Sequence, residues 1–100
     1  MPKGYLVASL DVTDAEAYEP YRLRVPDLIR RHGGRYLVRG GDFETMEGQV
    51  PFSRLVVVEF PSPEAAHGFY KDPDYRAIIA HRTDNAAGTL LIAEGVAEQP

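Results

Sequence analysis

Residues 54–60, RLVVVEF, place apolar side chains on both faces of a predicted β-strand: Val56, Val58 and Phe60 on one side, Leu55 and Val57 on the other. A strand that is apolar on both faces has to be covered on both. Residues 4–12, GYLVASLDV, repeat the pattern, with Leu6, Ala8, Leu10 and Val12 opposing Tyr5, Val7 and Ser9. A chain of 100 residues has little material from which to build two covers. That mismatch constrains the fold more than any other feature of the sequence.

The remaining segments supply one cover. Thr13 or Asp14 can cap a helix, and Thr13 with Glu16 has the form of a capping box. Tyr18, Tyr21, Val25, Leu28, Ile29 and His32 then recur at helical spacing up to Gly33-Gly34. Pro20 and Pro26 interrupt this stripe and are expected to bend the helix. Residues 35–39, RYLVR, read as a second strand closed by Gly40-Gly41, and residues 42–48 as a short edge strand or hairpin arm. Ser62-Pro63-Glu64 opens another helix. Asp72-Pro73 restarts it, with Tyr75, Ile78, Ile79 and Arg82 on one face. Residues 89–94 are the last strand.

The order predicts an α+β, ferredoxin-like split βαβ domain spanning residues 1–100, a four-stranded antiparallel sheet with two helices on one face. The other sheet face is then left for a second subunit, so a homodimer is expected.

Composition narrows the function classes. Eleven basic against fifteen acidic residues, a net charge of −4, argue against general nucleic-acid binding. With no cysteine there is no disulfide, zinc finger, iron–sulfur cluster or thiol nucleophile. No apolar run approaches a membrane span, and Met-Pro-Lys-Gly-Tyr leads directly into a strand without a signal-peptide pattern. The expectation is a soluble cytoplasmic protein without a membrane or nucleic-acid partner. His32, His67 and His81 lack paired ligand spacing, and there is no Walker motif, dinucleotide-binding glycine fingerprint or serine elbow. No metal or cofactor is expected, and His81 as an axial haem ligand is a weak alternative.

The segments GYLVASLDVTDAEAYEPY, GGRYLVRGGDFETMEG, RLVVVEFPSPEAAHGFYKDPDYRAIIAHR and LIAEG resemble the bacterial family known as domain of unknown function 1330, over about residues 3–96. The resemblance implies a dimeric α/β barrel, in which two ferredoxin-like subunits pack sheet against sheet. It brings no assigned activity and no catalytic residues. The wider superfamily includes cofactor-free monooxygenases, isomerases, haem-degrading enzymes and proteins that only bind, so fold alone does not choose among them.

Several residues could carry chemistry. His32, at the end of the first helical stripe, is either a general base facing a pocket between helix and sheet or a helix C-terminal histidine. Arg82 on an apolar helix face needs a partner, either Glu59 or the carboxylate of a ligand. Arg35 and Arg39 alternate along one strand and should share a face, as an anion site or in surface ion pairs. Arg39, beside two glycines, is the better ligand-binding candidate. Tyr18, Tyr21, Tyr70 and Tyr75 lie on inward helix faces, as pocket lining or as core. Glu59 and Asp11 are further general-base candidates. These readings together suggest a homodimer that binds a small organic acid or aromatic ligand. A cofactor-independent monooxygenase- or isomerase-like enzyme, and a structural dimer without pocket chemistry, are the alternatives.

Overall fold

The two doubly apolar segments form the central strands of one sheet. The computed structural model describes residues 2–97. It runs β1 (Gly4–Val12), α1 (Ala15–Arg31), β2 (Arg35–Arg39), β3 (Arg54–Phe60), α2 (Pro63–Lys71), α3 (Pro73–Thr83) and β4 (Ala86–Glu94). The strand order is β2-β3-β1-β4, and each neighbouring pair is antiparallel. This is the expected split βαβ sheet with its helices on one face.

Local chemistry explains the element ends. Asp14 caps α1 by accepting a 3.1 Å hydrogen bond from the Ala17 amide. Thr13 lies one residue before this cap, and its amide, which a capping-box Glu16 would need, donates instead to the Asn85 carbonyl at 2.8 Å. The capping box with Glu16 is therefore not formed. At the other end the Gly33 amide bonds to the Arg30 carbonyl and the Gly34 amide to the Ile29 carbonyl, at 3.0 and 2.9 Å. Gly33 has φ +80°, the left-handed value that this double closure requires. Between these ends α1 stays continuous over 17 residues with Pro20 and Pro26 inside it.

The second helical region is two helices, so the sheet carries three helices in place of the two expected. Asp72 precedes a proline, which disfavours the helical backbone, and its ψ of 128° breaks the run between α2 and α3. Residues 42–48 are not a strand. The whole segment 40–53 is irregular, and its Phe43 and Phe52 rings pair at 5.7 Å. An edge strand there would have one neighbour to pair with, and three acids and a glycine among its seven residues disfavour it.

The core lies between the sheet and the helices. Val58, Phe60, Phe69 and Tyr75 are its largest fully buried side chains. Phe69 sits 4.4 Å from Tyr75 and 5.6 Å from Phe60, ring centre to ring centre. Burying each such side chain contributes roughly 1.5–3 kcal/mol.

The opposite sheet face has an apolar middle with nothing over it among the described residues. Register places Val38, Val57, Val7 and Leu91 in one row across all four strands. Leu91 is 50% exposed and Val38 36%. The next row is polar: Glu59 accepts hydrogen bonds from the Tyr5 hydroxyl at 2.9 Å and from Arg35 Nε at 3.0 Å.

Candidate functional site

A cleft opens on the helix side of the sheet, between α1, α3 and the inner faces of β1, β2 and β3. Its cavity volume is about 30 Å³, and the free space in and above it, open solvent included, is about 460 Å³. Its floor is apolar, from Leu6, Ala8, Leu10 and Val56. Tyr18, Tyr21 and Tyr36 form aromatic walls, and four arginines, Arg22, Arg39, Arg54 and Arg82, project into the same space. Among the described residues, no acidic residue and no histidine lines it.

Arg82 comes from the inner face of α3 and is only 8% exposed. Its guanidinium lies 5.7 Å from the Tyr21 ring centre. Its Nε is buried and has no hydrogen-bond partner, and the same holds for Arg54 Nε. Native proteins rarely leave such donors unpaired, because each costs about 1–3 kcal/mol. Burial works against the Arg82 charge, yet the Tyr75 and Tyr21 hydroxyls keep its pKa raised, so the group stays a cation. Those two hydroxyls also share a 2.9 Å hydrogen bond with each other.

Burial pushes the Tyr18 hydroxyl above its ordinary pKa, and the nearby Arg54 and Arg82 charges only partly offset this. Tyr21 is driven well above its ordinary value by burial and then by Tyr75. Both therefore stay protonated at neutral pH, able to donate a hydrogen bond. Among the described residues, no carboxylate pairs with Arg39, Arg54 or Arg82. Arg22 is paired with Glu19.

Arg39 reaches the cleft because of a backbone irregularity. Arg35 pairs with Glu59 and Tyr36 with Val58, but Val38 then pairs with Val57 and Arg39 with Val56. The extra residue, Leu37, is a β-bulge that reverses the alternation. Arg35 consequently lies on the outer face with Glu59, while Arg39 turns inward with its guanidinium 4.6 Å from the Tyr36 ring centre. The expectation that Arg35 and Arg39 share a face is thus corrected: simple alternation cannot see a bulge. Gly40, at φ +67°, follows directly, and a Cβ there would collide with the Arg54 guanidinium.

Other candidates stand elsewhere. Arg82 does not pair with Glu59, because Glu59 is on the outer sheet face and is held by Tyr5 and Arg35. His32 does not face the cleft. It ends α1 with its ring 6.3 Å from Phe69, and its Nε2 lies 2.7 Å from Asp72 Oδ2. Among the described residues, no hydrogen bond joins the ring to a helix-end carbonyl. Asp11 accepts a 2.7 Å hydrogen bond from the Ser53 amide at the far end of β1. Tyr70 packs beside Tyr75, outside the cleft, under the Arg76 guanidinium. Tyr18, Tyr21, Arg39 and Arg82 are the candidates that the fold brings together. Arg54 and Tyr36 escape a reading by motif. Arg54 nevertheless shares parity with Val56, Val58 and Phe60 on the helix-facing side of its strand, a visible signal.

The sequence profile of the family described as Domain of unknown function (DUF1330) matches residues 3–96. The chain belongs to that family. No helix among the described residues of this DUF1330 member is long and apolar enough to cross a membrane. Nor does any group of three or more His, Asp or Glu side chains among them lie where it could hold a metal ion.

Comparison with curated proteins finds no match. Among solved structures, the chain is similar to RPA0582, a protein of unknown function from Rhodopseudomonas palustris. They share 20% identity with a TM-score of 0.76, over 97% of this chain and 85% of that one. It is also similar to a Dabb family protein with a ferredoxin-like fold from Mesorhizobium loti, at 11% identity and TM-score 0.64, over 99% and 100% of the two chains. A third is SnoaB, a cofactor-independent oxygenase from Streptomyces nogalater, at 12% identity and TM-score 0.62, over 100% and 97%. At these identities the likeness shows the ferredoxin-like fold and nothing further.

Proposed function

We propose that this DUF1330 protein is a homodimer that binds a small organic anion in the arginine–tyrosine cleft. The observation that carries this reading is the buried, partnerless Nε of Arg82 in a cleft lined, among the described residues, by four arginines and no acid. A guanidinium buried without a carboxylate from its own chain suits one supplied by a ligand. The apolar floor and aromatic walls suit a planar, apolar body, with protonated tyrosines as donors.

The rival readings have less support. His32, Asp11 and Glu59 stand outside the cleft and each is tied to a neighbour, so among the described residues no carboxylate or histidine base lines it. A structural dimer without pocket chemistry would be favoured by an Arg82–Glu59 pair, and that pair is absent among the described residues. SnoaB's cofactor-independent oxygenation is a reaction class that this fold accommodates in that protein, and an oxygenase here would need its substrate to lose a proton without a cleft base.

Thermal unfolding with a panel of small aromatic carboxylates tests the proposal. Ligand at a hundred times its Kd stabilises by about 2.7 kcal/mol. For a chain of this size that raises Tm on the order of 10 °C. The rise is expected in the native protein and lost in Arg82→Met. A rise of equal size in Arg82→Met, or none with any organic anion tried, overturns the proposal.

A further inference from the structure

The balance of charge in the cleft says more about the ligand than that it is an anion. Arg22 is neutralised at the mouth by Glu19. Arg39, Arg54 and Arg82 have no carboxylate among the described residues. These three cations occupy two levels. Arg82 descends from α3 and Arg54 rises from the inner face of β3, opposite Leu10 on β1, each with a buried and unpaired Nε. The Tyr18 hydroxyl lies within the field of both. Arg39 belongs to the other level. It is exposed, with its guanidinium carbon 4.6 Å from the Tyr36 ring centre on the edge strand β2, at the mouth. The bulge at Leu37 brings Arg39 to the side of the sheet where alternation already places Arg54, and the bare Gly40 leaves room for the Arg54 guanidinium.

A single carboxylate placed between Arg54 and Arg82 would leave Arg39 facing the ligand with no counter-charge. Arg39 is exposed and has no carboxylate among the described residues, so a second negative group on the ligand would meet an available cation at the cleft edge and add a charge-assisted contact. Resting on the reading of the cleft as an anion site, we infer that its ligand carries two separated acid groups on a small planar body. The inner group takes the Arg54, Arg82 and Tyr18 donors, and the outer group takes Arg39 at the mouth. The body between them lies along the apolar floor of Leu10 and Val56, against the Tyr36 ring.

The test compares four probes by calorimetry on the full chain: benzoate, benzene-1,3-dicarboxylate, its half-amide and inorganic phosphate. The dicarboxylate is expected to bind at least about tenfold more tightly than benzoate or the half-amide, the weight of one added charge-assisted contact. Phosphate, a compact dianion, is expected to bind no better than benzoate. In Arg39→Gln the advantage of the dicarboxylate over benzoate should shrink to within about twofold, a loss that follows from removing the outer contact. Circular dichroism of Arg39→Gln, whose side chain is exposed, confirms that the variant is folded.

Benzoate binding as tightly as the dicarboxylate overturns the two-acid inference and leaves the anion site standing. So does an advantage that survives in Arg39→Gln. Phosphate binding best overturns it in favour of one compact dianion. Absence of binding by all four, with Arg82→Met indistinguishable from the native protein, removes the anion-site reading itself.

Discussion

Asp72 joins three helices through one carboxylate. Its Oδ1 accepts from the Asp74 amide at 2.8 Å, capping α3, while its Oδ2 meets Arg31 at 3.0 Å and His32 Nε2 at 2.7 Å at the end of α1. These contacts, His32 first, then the Asp74 amide and Arg31, lower its pKa from 3.8 to about 2. A carboxyl depressed in the folded state stabilises fully above its unfolded pKa and loses that contribution as pH falls through the folded value. Acid unfolding followed by circular dichroism should therefore show a loss between pH 3.8 and about 2 that Asp72→Asn lacks. The variant should also be less stable at neutral pH. Parallel acid limbs in the two proteins would refute a stabilising role for the cluster. Arg82 makes the opposite case. Its Nε is an unpaired buried donor, while the Tyr75 and Tyr21 hydroxyls support the rest of the guanidinium, so the two effects oppose each other and Arg82→Met should change the stability of the ligand-free protein by no more than about 1 kcal/mol. Urea titration checks this, and a loss beyond about 2 kcal/mol would mean that the guanidinium is satisfied within the chain.

Among the elements, β2 decides what the cleft can hold. Its bulge turns Arg39 inward, and its closing glycine leaves room for Arg54. Gly40→Ala would force a side chain into a left-handed backbone and against the Arg54 guanidinium. A cost of about 1–2 kcal/mol is expected from the backbone alone. The same variant should weaken organic-anion binding, because Arg54 has to move. Urea unfolding and the anion-dependent rise in Tm read the two effects separately. Unchanged stability together with unchanged binding would show that neither the turn nor the close approach matters. Asp14→Ala, by contrast, touches only the start of α1 and should cost about 1 kcal/mol in the same urea assay without altering the anion response.

For the whole molecule, the outer sheet face is the feature that the isolated chain leaves unresolved. Val38, Val57, Val7 and Leu91 form an apolar row across four strands with nothing of the same chain over it among the described residues. Light scattering at micromolar concentration is expected to give twice the chain mass. The interface is expected to fall in the obligate class, above about 2,000 Å² in total. Val57→Lys, at the middle of the row, should yield monomer or aggregate, because an unpaired charge would be buried between sheets. A well-folded native monomer would contradict the two-sheet arrangement.

The strands and helices were legible because each is written in local chemistry. Period-two alternation marks β1 and β3, the Tyr18–Tyr21–Val25 stripe marks α1, Gly33-Gly34 ends it, and Ser62-Pro63 and Asp72-Pro73 open α2 and α3. Strand order follows from that succession, since short connections and handedness leave few alternatives. Among the site residues, Tyr18, Tyr21 and Arg82 could be read as inward from helical spacing alone. What the tertiary structure decided is who meets whom. Arg39 crossed the sheet because one residue, Leu37, was added to a ladder whose side chains alternate with period two. Glu59 went to Arg35 and Tyr5 in place of Arg82, because odd-numbered residues of β3 face away from the helices. Periodicity assigns a side chain to a face, but its partner on that face is set by register, and register is a property of two strands together.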